Sequence, residues 1–466
     1  MKKILSVILA LTIVLGLCAC GGSGNASNQE TQPKTAVLEA GFGRENITPD
    51  WPVGMAGYSD AETRKTKNVL DYIYLTCVAF REGETTILVY TADMTALSQE
   101  NQKKLREHVA QFTGIPNENI FMGATHTHSS CSPNVDDKWD KLLKDAFITA
   151  AQTAMADLAP IKMEVATDTL EGLNFVRHYL MNDGTYYGSN FGSEASGYKA
   201  HALEYPDRQL IVLKLDRETK KDILMVNWQA HPASAAREYD YTAVSADFVG
   251  PLRTKVENET NMHVAYYTGA AGNTNKDSRI ESEKHGLDFK QYGQKIADHV
   301  LENLNNLKPV EGTGIKTSRM EFQAEVDHSW DHMIKEANEV FDLWKSVNKT
   351  EGDKLGATYG FTSVYQARAI RTRYDLPATQ PRELRAFRVG PIGFTTGTYE
   401  MFSDHAEYVK QNSPFDTTFI ITGCGGYIAN KAAYEYRSYE TDTGMFASGT
   451  GEKMAEEYVK LLNAVK

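Results

Sequence analysis

Asn119-Ile120-Phe121-Met122-Gly123-Ala124-Thr125-His126-Thr127-His128 is an apolar run that breaks off into four polar residues. A bounded apolar run of that length reads as a buried strand, and this one ends by presenting imidazoles. Side chains on extended backbone alternate, so His126 and His128, two positions apart, share a face. The same construction recurs along the chain. Strand-like runs end in Gln229-Ala230-His231, in Gly269-Ala270-Ala271-Gly272-Asn273, in Tyr399-Glu400 and in Gly425-Gly426-Tyr427. In open α/β sheets ligands bind at the carboxyl ends of strands. These five clusters are therefore expected to converge on one site.

Working outward, strand-like and helix-like segments alternate. Strands are expected over 86–91, 119–124, 162–167, 210–215, 223–228, 263–268, 386–389, 394–396 and 418–422. Helices are expected over 98–112, 138–158, 250–259, 289–307, 403–410 and 451–465. The alternation predicts an α/β domain with mixed, mostly parallel sheets and flanking helices. No Pro- or Gly-rich linker divides the body, so 36–466 reads as one domain. The segment 311–385 breaks the rhythm and reads as an insertion or lid.

Taken singly, the polar residues leave their roles open. An HxH pair suits a metal, a surface loop or a hydrogen-bonded core pair equally. His231, before Pro232, reads as a structural histidine as readily as a ligand, and Glu400 as an acid at a helix N-terminus. Arg177 alone reads as half of a surface ion pair. Two imidazoles, a carboxylate and an open position would suit a catalytic zinc, but spacing does not bring them together.

Several blocks resemble the catalytic domain of the neutral, non-lysosomal ceramidases. They are Gly41-Phe42-Gly43-Arg44-Glu45-Asn46-Ile47-Thr48-Pro49, Met55-Ala56-Gly57-Tyr58, Ala124-Thr125-His126-Thr127-His128-Ser129, Asn227-Trp228-Gln229-Ala230-His231 and Ser245-Ala246-Asp247. The resemblance runs in order from about residue 39 to the C-terminus and leaves 311–385 unmatched. It implies a neutral-ceramidase-like zinc hydrolase domain that cleaves an amide (N-acyl, ceramide-like) bond with metal-activated water. It places the zinc ligands at His126, His231, Glu400 and Tyr427, the last supported by the Tyr427 and Tyr439 spacing. The groups on the scissile carbonyl or its oxyanion become His128, Arg177 and Tyr439.

Two departures are visible. Ala270-Ala271-Gly272-Asn273-Thr274-Asn275 puts Asn275 where the family has an active-site Ser. An amide is no nucleophile, so a covalent route is not expected and water attack is. The loop after His128 reads Ser129-Ser130-Cys131-Ser132-Pro133, where Cys131 is expected to be a small core thiol. The chain also stops soon after Tyr439-Glu440, so the family's C-terminal β-sandwich domain is expected to be absent. The departures leave the substrate open: an N-acyl compound, an ester or sugar-derived substrate on the same zinc site, or a ligand of a non-catalytic binding lipoprotein.

The N-terminus carries its own chemistry. Lys2 and Lys3 precede an apolar run from Ile4 to Leu17, and Leu17-Cys18-Ala19-Cys20 follows. A basic start, a short apolar core and a small residue before the cut make a secretory signal, and the Cys after Leu-x-Ala resembles a lipobox. Residues 1–19 are expected to be a lipoprotein signal peptide, Cys20 the lipidated residue, and 20–35 a flexible tether. The protein is then anchored on the outer side of the cell membrane. A net charge of −12 argues against nucleic acid as a partner and for a small-molecule or lipid-like substrate. Cys77, Cys131 and Cys424 are too few and too widely spaced for a disulfide framework.

Overall fold

The computed structural model describes residues 37–58, 63–181, 186–187, 198–199, 206–276, 287–423 and 425–466. The signal peptide, Cys20, the tether and Cys424 lie outside the described residues. The α/β class expected from the sequence is the one adopted, with three mixed sheets carrying the domain. The first runs in the order 120–124, 85–92, 74–82, 38–46 and 159–160. The second runs 263–268, 223–228, 209–216, 162–169 and 308–310, and the third 315–325, 379–389, 392–397 and 417–422.

The expectation of mostly parallel sheets is corrected: each of these sheets contains a single parallel pair, its other ladders being antiparallel because most neighbouring strands are joined by hairpins or return connections rather than helical crossovers. The parallel pairs join Thr85–Ala92 to Ile120–Ala124, Ile223–Trp228 to His263–Thr268, and Ile392–Gly397 to Thr417–Thr422. Parallel strands need a crossover. It is made each time through a helix: Gln99–Thr113, Val249–Thr260 and Ser403–Asn412.

The inner faces of the sheets meet in one apolar core that includes Val89, Phe121, Ile211, Met225, Phe387 and Phe419. Buried hydrogen bonds lock the carboxyl ends of the three parallel pairs together. Thr268 Oγ1 donates to Thr125 O at 2.7 Å, and Thr422 Oγ1 to Thr268 O at 3.3 Å. Asn227 Nδ2 donates to Tyr267 O at 2.8 Å and to Ile420 O at 3.0 Å. Three strand ends are thus held side by side before any site residue is considered.

Strand Leu38–Asn46 shows why its sequence carries two glycines. Gly41 and Gly43 face helix Asp137–Ala156, where a Cβ would sit 2.0 Å from Ala154 O and from Ala150 O. The helix is capped by Asp136, whose carboxylate accepts from Trp139 N at 2.8 Å. It buries Trp139, Leu143 and Phe147, each contributing about 1.5–3 kcal/mol.

The 311–385 segment supplies strand Ile315–Glu325, paired along its length with Thr379–Val389. Between them stand helices Ile334–Ser346, Lys349–Thr358 and Val364–Tyr374, around a small core of their own that includes Val340, Phe361, Val364 and Ile370.

Candidate active site

The five polar clusters at the strand ends converge. His126 follows the first parallel pair and adopts φ +69°, a left-handed conformation that costs a non-glycine residue about 1–2 kcal/mol. Its backbone is pinned there, with His126 N donating to Met94 O at 2.9 Å. His231 follows the second pair, held by His231 N to Thr274 O at 3.0 Å. Glu400 and Tyr427 follow the two strands of the third pair and are register partners in a short parallel ladder, Glu400–Met401 with Tyr427–Ile428.

The ring nitrogens define what sits between them. His126 Nδ1 lies 2.6 Å from Thr95 O and His231 Nδ1 lies 3.0 Å from Ala271 O. A carbonyl oxygen only accepts, so both Nδ1 atoms carry the proton and both Nε2 atoms present lone pairs. Those two Nε2 atoms face each other at 2.8 Å, with His128 Nε2 at 3.2 Å from each. Glu400 Oε2 lies 3.2 Å from His126 Nε2 and 3.7 Å from His231 Nε2 and has no hydrogen-bond donor. Protonating the rings is disfavoured: burial first, then neighbouring positive charge, pushes His231 and His128 well below the ordinary imidazole value. Converging lone pairs and a carboxylate repel one another unless a cation lies among them. Imidazoles whose far N–H is fixed on a carbonyl are the usual form of a metal ligand, so the donor set fits zinc.

Arg177 crosses from strand Asn174–Val176 into the same site. Its Nε donates to Glu440 Oε1 at 2.6 Å, and its terminal nitrogens reach Gly272 O at 2.9 Å, Tyr427 Oη at 3.3 Å and Asn275 Oδ1 at 3.4 Å. Glu440 is fully buried and accepts a second bond from His178 Nε2 at 2.9 Å. Burial alone would raise the Glu440 pKa, but Arg177 and His178 outweigh it and hold the carboxyl at about 2. The guanidinium is thereby aimed rather than merely neutralised.

Beside these groups lies a cavity of about 520 Å³, lined by His128, His231, Arg177, Asn275, Tyr427 and Tyr439 and also by Tyr58, Arg237, Trp344, Lys349, Tyr365 and Arg368. The helices of 334–374 therefore wall the site. They are tied to the segment bearing Tyr439 by Thr362 Oγ1 to Asp442 Oδ2 at 2.6 Å and Arg373 to Gly444 O at 2.7 Å.

All eight candidate residues thus meet in one place: His126, His128, Arg177, His231, Asn275, Glu400, Tyr427 and Tyr439. Cys131 is a buried thiol outside the histidine group, its pKa pushed up to about 12 by burial. Reasoning from the sequence assigned no role to His178, Glu440, Asp247 or Gly57, although each adjoins or lies in a block quoted above. Asp247, buried at φ +56°, accepts from Ser234 N and Ala235 N at 2.7 and 2.6 Å and so shapes the turn after His231. Gly57, at φ +105°, lies so close to His128 that a Cβ would sit 2.7 Å from His128 Cβ.

The sequence matches the family described as neutral/alkaline non-lysosomal ceramidase, N-terminal, over residues 38–277. In structure the chain is similar to the neutral ceramidase from Pseudomonas aeruginosa, with a TM-score of 0.69 at 15% identity over 92% of this chain and 74% of that one. It is also similar to a ceramidase complexed with C2, with a TM-score of 0.66 at 14% identity over 92% and 75% of the two chains. No curated protein matches it in sequence. At such identities the structural likeness is a likeness of fold.

Proposed function

Because the chain belongs to the neutral/alkaline non-lysosomal ceramidase family, we propose that it hydrolyses the amide bond of an N-acyl, ceramide-like substrate in the cavity over His126, His231 and Glu400. The observation that carries this reading is the set of facing Nε2 lone pairs, 2.8 Å apart, beside an unpaired carboxylate oxygen. A binding module without catalysis has no need of that arrangement.

In this reading His126, His231, Glu400 and Tyr427 hold a zinc ion. Zinc, when bound, supplies Lewis-acid polarisation of the carbonyl and a water activated near neutral pH. The chain's own residues do the rest. Arg177, fixed by Glu440, keeps a permanent positive charge facing the cavity, and Tyr439 brings a hydroxyl into the same space. Both are placed to donate to the carbonyl oxygen as negative charge develops on it. His128 completes the set beside His126 and His231, its Nδ1 without a hydrogen-bond partner among the described residues and its ring edge-on to Tyr58. Asn275 accepts from Arg177 and cannot attack, so no acyl-enzyme forms.

The test is an activity screen of the zinc-loaded domain on N-acyl, ester and glycoside panels. Cleavage of esters or glycosides with no amide turnover would refute the amide reading. Tyr439→Phe removes one hydroxyl and is expected to cost on the order of 100-fold in kcat with little change in KM. Rapid-mixing kinetics should show no burst of first product. An unaffected variant removes Tyr439 from the machinery, and a burst overturns the water mechanism.

We further propose that Cys20 is acylated and anchors the protein on the outer side of the membrane. Cys20→Ala is expected to leave the protein unprocessed or released, as read by metabolic labelling with a radioactive fatty acid and by cell fractionation. A variant that stays labelled and normally processed rules this out.

A further inference from the structure

The cavity carries charge that the proposed reaction does not use. Arg177, Arg237, Lys349 and Arg368 line it, and among the described residues no carboxylate does, on a chain whose net charge is −12. Arg177 is engaged by Glu440. Arg368 is exposed and makes no ion pair among the described residues; its guanidinium lies 5.3 Å from the Tyr365 ring centroid and 5.9 Å from that of Trp344. The Lys349 ammonium lies 5.1 Å from the same Tyr365 ring and is ion-paired with Asp353 one helical turn away, so Arg368 is the cation without a carboxylate partner among the described residues. Tyr365 in turn packs edge-on to Tyr439 at 6.4 Å. The two cations therefore stand one aromatic ring beyond a residue assigned to the scissile carbonyl.

A hydrocarbon chain gains nothing from a wall of cations, and a neutral amino alcohol leaves them idle. An arginine resting beside aromatic rings without a carboxylate partner keeps its N–H donors free for an oxyanion. We propose that the amine-derived half of the substrate carries an acidic group, held by Arg368 with Lys349 adding positive charge beside it. The preferred substrate is then an anionic N-acyl compound rather than neutral ceramide. This rests on the amide-hydrolase reading of the site and adds a substrate class to it.

The experiment compares N-dodecanoylglycine with N-dodecanoylethanolamine, which share an acyl chain and differ in the carboxylate. The zinc-loaded domain should favour the acylglycine by at least about tenfold in kcat/KM at low salt, one such factor being what a single added charge contact supplies, and the preference should shrink as salt is raised. Arg368→Ala should lower the ratio of the two kcat/KM values several-fold, mainly through KM for the acylglycine, Lys349→Ala should lower it less, and Arg368→Lys, which keeps the charge and loses the fork, should recover only part of it. A ratio at or below one, or variants that lower both substrates alike, overturns the proposal. If neither amide is cleaved, the amide-hydrolase reading fails on its own, and calorimetric titration of the two intact compounds still decides the charge preference. Tighter acylglycine binding that weakens in Arg368→Ala upholds it; equal or absent binding overturns it.

Discussion

His231→Ala is expected to lower the zinc content of the purified chain from about one ion to near none, and kcat/KM by roughly 10³-fold or more. The size of the effect follows from what the metal contributes. Several kcal/mol of charge stabilisation are lost with it, and each 1.36 kcal/mol is a factor of ten. The substitution removes the Nε2 that faces His126 at 2.8 Å and with it the Nδ1 bond to Ala271 O. Glu400→Ala should behave in the same way. The metal dependence of stability separates ligand loss from misfolding. In the wild-type chain chelation should lower Tm, because a ligand that binds only the folded state stabilises it. In His231→Ala, Tm should no longer respond to zinc. Elemental analysis and thermal unfolding read the two effects independently. Full zinc retention in both variants would falsify the ligand assignment.

The second large effect falls on stability. Glu440→Gln leaves Arg177 buried without its counter-charge, and breaking a buried pair in this way costs about 3–5 kcal/mol. The pH dependence has a definite sign. Glu440 has its pKa lowered from 4.5 to about 2 in the folded chain. Its contribution is therefore complete above pH 4.5 and is lost as pH falls from there toward about 2. Urea unfolding should show the variant markedly weaker at pH 7, with the gap from wild type closing through that window. Equal stability at pH 7 would mean that water or another group takes over the guanidinium.

The positions of His126, His231 and Glu400 were legible because each follows a short, largely apolar strand buried along its length, so that polar residues cluster where the strand ends. The helices could be placed for a similar reason, since Gln99–Thr113 and Asp137–Ala156 keep one apolar stripe each. Strand Ile315–Glu325 was not legible. It lies at the edge of its sheet, and only its second half, where Met320, Phe322 and Ala324 alternate with Arg319, Glu321, Gln323 and Glu325, carries the period-2 pattern, too short to stand out within 311–385. Its partner Thr379–Val389 even tolerates Pro381, because the next strand pairs only from Arg385 onward. Nor could Arg177 be told from a surface cation. What decides its role is Glu440, which reaches Arg177 and the neighbouring His178 only when a distant segment has docked. The resemblance to a family supplied the roles, and the facing lone pairs supply a reason for them that no spacing rule contains.

The three cross-bonded strand ends also govern the order of events during biogenesis. His126 comes from the first sheet, His231 from the second, and Glu400 and Tyr427 from the third, whose last strand ends only at Thr422. An amino-terminal fragment that ends before Glu400 holds only two of these donors, so it lacks the set proposed to hold the ion. Capture of metal, as proposed, would therefore report completion: the site is assembled only in a polypeptide that has closed all three sheets.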